Sequence, residues 1–157
     1  MTLPDDVELR QLDLLTADID DDTAENLAFA EKQLFEGGAL DVVRVPVVMK
    51  KGRQGTRLEV LCEEENRKDL LRVIFRETTT IGVRHTAVQR YALTRESATI
   101  EVAGHPVRIK VVFYGGQPLK AKPEHEDCVE AARATGRPVR DIVNLARRIA
   151  RDKLGAD

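Results

Sequence analysis

The order in which hydrophobic periodicity changes along residues 5–88 restricts the fold of this chain more than any other feature. Val7 to Ala17 alternates loosely between apolar and polar residues, the period of a strand. Leu27, Ala30, Leu34 and Phe35 then recur at helical spacing and predict the buried face of a first helix. Asp22 with Glu25 reads as its capping box, and Gly37-Gly38 ends it. Val42 to Met49 is a nearly continuous apolar run, which predicts a central strand. Lys50 to Thr56 is a glycine-containing turn. Arg57 to Cys62 alternates again, with Leu58, Val60 and Cys62 against Arg57, Glu59 and Leu61. Asn66 is placed to cap a second helix that runs to Thr78, with Leu70, Leu71, Ile74 and Phe75 on one face. Ile81 to Ala87 completes the series as a fourth strand. Strand, helix, strand, strand, helix, strand is the split βαβ pattern of a ferredoxin-like fold, an α+β sandwich with both helices on one face of an antiparallel sheet.

A smaller segment follows, which divides the chain into domains 1–88 and 89–157. Val88 to Leu93 continues the strand pattern, and Ala98 to Val102 with Val107 to Phe113 predicts a β-hairpin around Gly104-His105-Pro106. Gly115-Gly116-Gln117-Pro118 reads as a break. Pro123, with Glu124, Glu126 and Asp127, reads as a helical first turn. Thr135-Gly136-Arg137-Pro138 ends that helix and opens a last one. Its buried face is Ile142, Val143, Ala146, Ile149 and Ala150, with Arg140, Arg147, Arg148 and Arg151 turned outward.

Composition sets limits on function. Charged residues make up 33% and hydrophobic residues 42%, as in soluble globular proteins. No apolar run approaches a membrane span, and the start (Met-Thr-Leu-Pro-Asp-Asp) has neither the basic head nor the apolar stretch of a signal peptide. Two cysteines, Cys62 and Cys128, are too few for a disulfide framework and fit a cytoplasmic, reducing location. Residues 1–36 hold eleven acids and two bases, a net −9 that leaves +7 on the remaining 121 residues. An acidic end suits a cation and a basic remainder suits an anion. The overall acidity and the scarcity of aromatics, two tyrosines and four phenylalanines, argue against nucleic acid as a partner.

Three stretches carry candidate chemistry. Thr78-Thr79-Thr80-Ile81-Gly82-Val83-Arg84 places three hydroxyls, a glycine and a guanidinium within seven positions, an anion-binding corner or an ordinary helix-to-strand junction. Lys50-Lys51-Gly52-Arg53-Gln54-Gly55 puts three cations and two glycines on one turn, which suits a polyphosphate but lacks Walker spacing; a solvated hairpin turn reads the same way. Asp18, Asp20, Asp21 and Asp22 offer hard oxygen ligands for magnesium or manganese, or serve as helix caps, and do not match a calcium loop. His85, His105 and His125 share no metal-ligand spacing, and Ser97, the one serine, has no nucleophile motif around it.

Taken in order, Asp18-Ile19-Asp20-Asp21-Asp22, the stretch from Leu34 to Val42, the Met-Lys-Lys-Gly-Arg turn, Phe75 to Arg84 and Lys122-Pro123-Glu124-His125-Glu126-Asp127-Cys128 resemble the C-terminal domain of the LarC family. These are nickel insertion proteins that complete the nickel-pincer nucleotide cofactor of lactate racemase. The resemblance implies a CTP- and divalent-metal-binding, oligomer-forming part of a nickel insertase. CTP, with magnesium or manganese, would be cleaved to CMP and diphosphate as nickel enters a pyridinium dithiocarboxylate mononucleotide. It also implies that the N-terminal, histidine-rich part of the insertase lies outside this chain, so that this chain alone does not insert nickel. The sequence departs from the family pattern at Asp18, where asparagine is expected, at Asp22, where methionine is, at Ala24 and Gln54, where proline is, and at His125, where tyrosine is.

On that resemblance, Lys50, Lys51, Arg53 and Arg84 are expected at the triphosphate, Asp20, alone or with Asp21, at the bridging metal, and Thr78, Thr79 and Thr80 at phosphate or ribose. Lys122, Glu124 and Asp127 would close the site from the second segment or a neighbouring subunit. The alternative is a non-catalytic ferredoxin-like assembly or regulatory module, which would bind no nucleotide.

Overall fold

The structure is a computed structural model that describes residues 3–155; Met1, Thr2, Ala156 and Asp157, the ends of the two expected domains, lie outside the described residues. The chain forms two compact units, one spanning Arg10–Arg90 and the other joining the residues up to Leu9 with those from Tyr91 onward.

The Arg10–Arg90 unit is built on a four-stranded sheet of β1 (Val7–Ile19), β2 (Asp41–Val48), β3 (Gln54–Cys62) and β4 (Arg84–Leu93), in the order β2-β3-β1-β4. With α1 (Ala24–Glu36) and α2 (Arg67–Glu77) this is the ferredoxin-like βαββαβ arrangement. Alternation decides which side of the sheet is covered. Leu15, Ala17 and Ile19 of β1 and Leu58, Val60 and Cys62 of β3 turn to one face, where Leu27 and Leu34 of α1 and Leu70 and Ile74 of α2 complete the core. Each large side chain buried there contributes about 1.5–3 kcal/mol.

Four expectations change. The apolar run of β2 reads as a central strand, yet β2 lies at the sheet edge. Only Val42 among its valines is buried; Val43 and Val45, opposite Glu59 and Arg57, are on the uncovered face. Pro46, which has no N–H to donate, suits an edge. Phe35 and Phe75 each follow a core residue by one position, a rotation of about 100° on a helix, and both are exposed. The N-cap of α1 is Thr23 rather than Asp22: its hydroxyl accepts from the Asn26 N–H at 3.1 Å, while the Asp22 carboxylate accepts from Thr23 N–H at 2.8 Å. Asn66 occupies the cap position of α2, but its amide donates instead to Gly38 O at 3.2 Å.

In the other unit, β5 (Arg95–Val102), β6 (His105–Tyr114) and β7 (Gln117–Pro123) form a three-stranded antiparallel sheet in that order. The expected hairpin is therefore two-thirds of a sheet. Gly115-Gly116 turns the chain into β7 instead of breaking it, held by the Asp6 carboxylate, which accepts from both amides at 3.0 and 2.9 Å. Those bonds, the Gly116 amide first, hold the Asp6 carboxyl below its ordinary range. Pro118 is tolerated because β7 is an edge strand, and a register shift at Val112/Phe113 sets Phe113 opposite it. Ile100, Val102, Val107, Ile109 and Val111 pack on Cys128, Ala131 and Ala132 of α3 (His125–Thr135) and Ile142, Ala146 and Ala150 of α4 (Val139–Leu154). The alanines let both helices lie close to the sheet. Pro123 closes β7, so α3 starts two residues later than the proline suggests.

Candidate functional site

Antiparallel register puts Asp18 of β1 opposite Arg57 of β3 on the face of the larger sheet away from the helices. Arg57 donates to both carboxylate oxygens of Asp18, at 2.7 and 3.2 Å, and Arg84, the first residue of β4, donates to Oδ2 at 2.8 Å. Two guanidinium groups on one carboxylate, Arg57 the stronger, hold the Asp18 carboxyl at about 2. These three residues line a cleft of about 470 Å³ with Lys50 and Thr80, beside Val48 and Ile81. Ile81 is fully exposed and Val48 is 71% exposed. Cations together with bare apolar side chains complement the two parts of a nucleotide, its anionic phosphates and its flat base.

The threonine stretch divides its work. Thr78 caps α2, its hydroxyl donating to Ile74 O at 2.8 Å. Thr79 turns to the acidic loop: its N–H donates to Asp22 Oδ2 at 3.3 Å and its hydroxyl donates to Asp21 Oδ1. Thr80 lines the cleft, its hydroxyl donating to Gly82 O at 3.0 Å. The central stretch is thus a junction as well as a wall.

Asp20 accepts from Arg53 Nη1 at 3.1 Å and lines a separate cleft of about 310 Å³ with Asp22, Arg44 and Gln54. Asp20 Oδ1 and Asp21 Oδ2 have no hydrogen-bond partner among the described residues. Magnesium and manganese take hard oxygen ligands, and these are the carboxylate oxygens of the acidic loop left available to one. Among the described residues no group of three His, Cys, Asp or Glu side chains converges as a metal site. Lys51 sits on a 3-10 turn (Lys50–Gly52) at φ 63°, a left-handed conformation uncommon for a residue with a Cβ. Gly55 is required where β3 starts: a Cβ there would lie 2.7 Å from Ile19 O and 2.7 Å from Met49 Sδ.

The structure therefore gathers Lys50, Thr80 and Arg84 at one cleft, ties Arg53 to Asp20 and Thr79 to Asp21 beside it, and sets Thr78 into the helix end. Lys122, Glu124 and Asp127 belong to the other unit, where Asp127 is held at about 2 by the Arg108 guanidinium and backbone N–H, and Glu124 pairs with Lys110 at 2.7 Å. Arg57 was readable only as an outward strand residue. Its pairing with Asp18 depends on register, which no local pattern prints.

Asp13 of β1 is the buried charged side chain among the described residues. Asp13 accepts from Arg67 Nη1 at 2.6 Å and lies 2.7 Å from His85 Nε2, and the two partners, His85 first, lower its pKa. Burial, with Asp13 nearby, pushes the Cys62 thiol up. The pairs of Asp13 tie β1 to α2 and β4, and the raised thiol pKa leaves Cys62 protonated.

A family model described as Nickel insertion protein matches residues 2–143. The chain belongs to the nickel insertion protein family. It is 42% identical over 120 residues to the pyridinium-3,5-bisthiocarboxylic acid mononucleotide nickel insertion protein of Clostridium acetobutylicum, a match covering 76% of this chain and 29% of that protein. It is also 42% identical over 142 residues to a putative nickel insertion protein of Nostoc sp., covering 88% and 33%. The chain thus spans about a third of the length of the curated family members it matches. Among solved structures it is similar to LarC2, the C-terminal domain of a cyclometallase involved in the synthesis of the NPN cofactor of lactate racemase, in its apo form. The TM-score is 0.85 at 34% identity, covering 93% of this chain and all of that one. A Methanopyrus kandleri protein matches at TM-score 0.60 and 27% identity, covering 90% and 91%. Among the described residues no helix is long and apolar enough to cross a membrane.

Proposed function

We propose that this chain is the CTP- and divalent-metal-binding, oligomer-forming C-terminal part of a cytoplasmic nickel insertase that completes the nickel-pincer nucleotide cofactor of lactate racemase. The observation that carries the reading is the cleft in which Lys50, Thr80 and Arg84 stand beside exposed Val48 and Ile81. In this reading Lys50 and Arg84 hold the triphosphate, Lys51 and Arg53 extend the positive wall along the adjoining turn, and Val48 with Ile81 covers the base. Thr80 donates to phosphate or ribose, while Thr78 and Thr79 fix the turn that presents it. Asp20 and Asp21 hold magnesium or manganese at the triphosphate. Nickel and the pyridinium dithiocarboxylate mononucleotide are substrates of the whole insertase, whose N-terminal domain supplies the remaining chemistry.

A second reading, a non-catalytic assembly or regulatory module, draws on the open edge strand β2 and its exposed Val43 and Val45, which suit pairing with another copy. The two readings part at the nucleotide. Thermal unfolding of the chain with CTP, ATP, GTP or UTP, each with and without manganese, decides between them, because a ligand of the folded state raises the melting temperature. A rise with CTP and manganese that the other nucleotides do not match supports the insertase reading. No rise with any nucleotide removes it and leaves the assembly module.

A further inference from the structure

One face of the three-stranded sheet packs on α3 and α4; the other carries a concentration of positive charge. Arg95 of β5, Lys110 of β6 and Lys122 of β7 line one cleft of about 390 Å³, edged by Glu124 and His125. Register explains how three strands converge there. Lys110 stands directly opposite Lys122, and Arg95 stands opposite Val112, two residues along β6 on the same face. Like charges directly opposed across an antiparallel pair destabilise a sheet. Glu124 answers only one of them, its Oε1 lying 2.7 Å from Lys110 Nζ. Arg95 and Lys122 have no acidic partner among the described residues. Three cations against one carboxylate in a cleft leave a local field that an anion would neutralise.

We propose that this cleft is a second anion site, built for a phosphate group. A guanidinium fork and two ammonium groups match a tetrahedral oxyanion, with Arg95 donating in pairs and the lysines acting as point charges. The chemistry is shared by inorganic phosphate, diphosphate and the phosphate of a nucleoside monophosphate. The site assigns Lys122 a role of its own, and it stands whether or not the cleft of the Arg10–Arg90 unit binds a nucleotide.

The test is a titration of the full chain with sodium phosphate, sodium diphosphate and cytidine monophosphate in separate arms, at constant ionic strength, followed by backbone amide NMR. The expected result is saturable shifts at Lys110, Lys122 and His125 in at least one arm, the tightest arm naming the source. Lys122→Gln and Arg95→Gln should each weaken that binding by about tenfold or more, and Glu124→Gln should tighten it severalfold. Both replaced cations are exposed, and the unchanged spectrum of the core shows that the variants fold. The same titration on Lys50→Gln separates the two clefts, since binding at the second should be unaltered. No saturable shift in any arm, equal affinity in Lys122→Gln, or loss in Lys50→Gln would overturn the proposal.

Discussion

Asp18 Oδ2 accepts from Arg84 Nη2 at 2.8 Å, across 66 residues of chain, so that the cleft's own carboxylate holds the arginine best placed to meet an anion. Because Arg57 takes the same carboxylate, Asp18 both orders the two guanidinium groups and offsets their charge. Asp18→Asn should keep the arrangement of the cleft while removing one negative charge. The expected outcome is CTP affinity stronger by roughly threefold or more, with a stability loss of about 1 kcal/mol because both arginines are partly exposed. Calorimetric titration and urea unfolding of the variant check the two halves separately.

The paired carboxylates make the protein sensitive to acid in a defined window. Asp18 and Asp127 are both held at about 2 in the folded chain against an ordinary value of 3.8. Their stabilisation is fully present above the unfolded value and disappears as pH falls through the folded one. Stability should therefore stay level with respect to these groups down to about pH 4 and fall from there to about pH 2, by about 1 kcal/mol for each pair after allowance for solvent at the arginines. Urea midpoints across that range should show the loss, and Asp127→Asn should flatten part of it.

Gly52 of the Lys50–Gly52 turn and Gly55 near the start of β3 should respond differently to a methyl group. Gly55→Ala drives a Cβ to 2.7 Å from the Ile19 carbonyl, which is backbone and cannot swing aside, so a loss of about 1–3 kcal/mol is expected. Gly52→Ala meets nothing within 4 Å and costs only the left-handed conformation at φ +71°, about 1 kcal/mol. Paired urea or thermal unfolding of the two variants gives the comparison; a larger loss at Gly52 would contradict the packing described for the start of β3.

The sequence showed these elements unevenly, for physical reasons. The alternation of Leu58, Val60 and Cys62 and the spacing of Leu27, Ala30 and Leu34 report burial directly, because period follows backbone geometry, and all six side chains lie in the core. The position of β2 did not read correctly, since a run of valines looks the same on an edge as in the middle of a sheet; Pro46 was the available signal. The third strand of the smaller sheet was hidden by Gly115-Gly116 and Pro118, which are turn and edge residues here. The cations of the central cleft were visible as Lys50 and Arg84, but the Asp18–Arg57 pair that completes its wall is set by register between distant strands.

Asp20→Ala tests the proposed metal position. It removes the partner of Arg53, an exposed pair, so the stability change should stay below about 1 kcal/mol. Manganese-dependent CTP binding should be lost, while any metal-independent contact with Lys50 and Arg84 remains. A thermal shift with CTP that still depends on manganese in the variant would move the metal away from Asp20.

The central claim is that the cleft of Lys50, Thr80 and Arg84 binds the triphosphate of CTP, and the most direct measurement is calorimetric titration of CTP with manganese into the wild-type chain and into Arg84→Gln. The account predicts saturable binding to the wild type and a loss of about tenfold or more in the variant, with the fold retained because Arg84 is an exposed side chain at the end of a strand. Equal affinity in the two proteins, or no binding to the wild type, would contradict it.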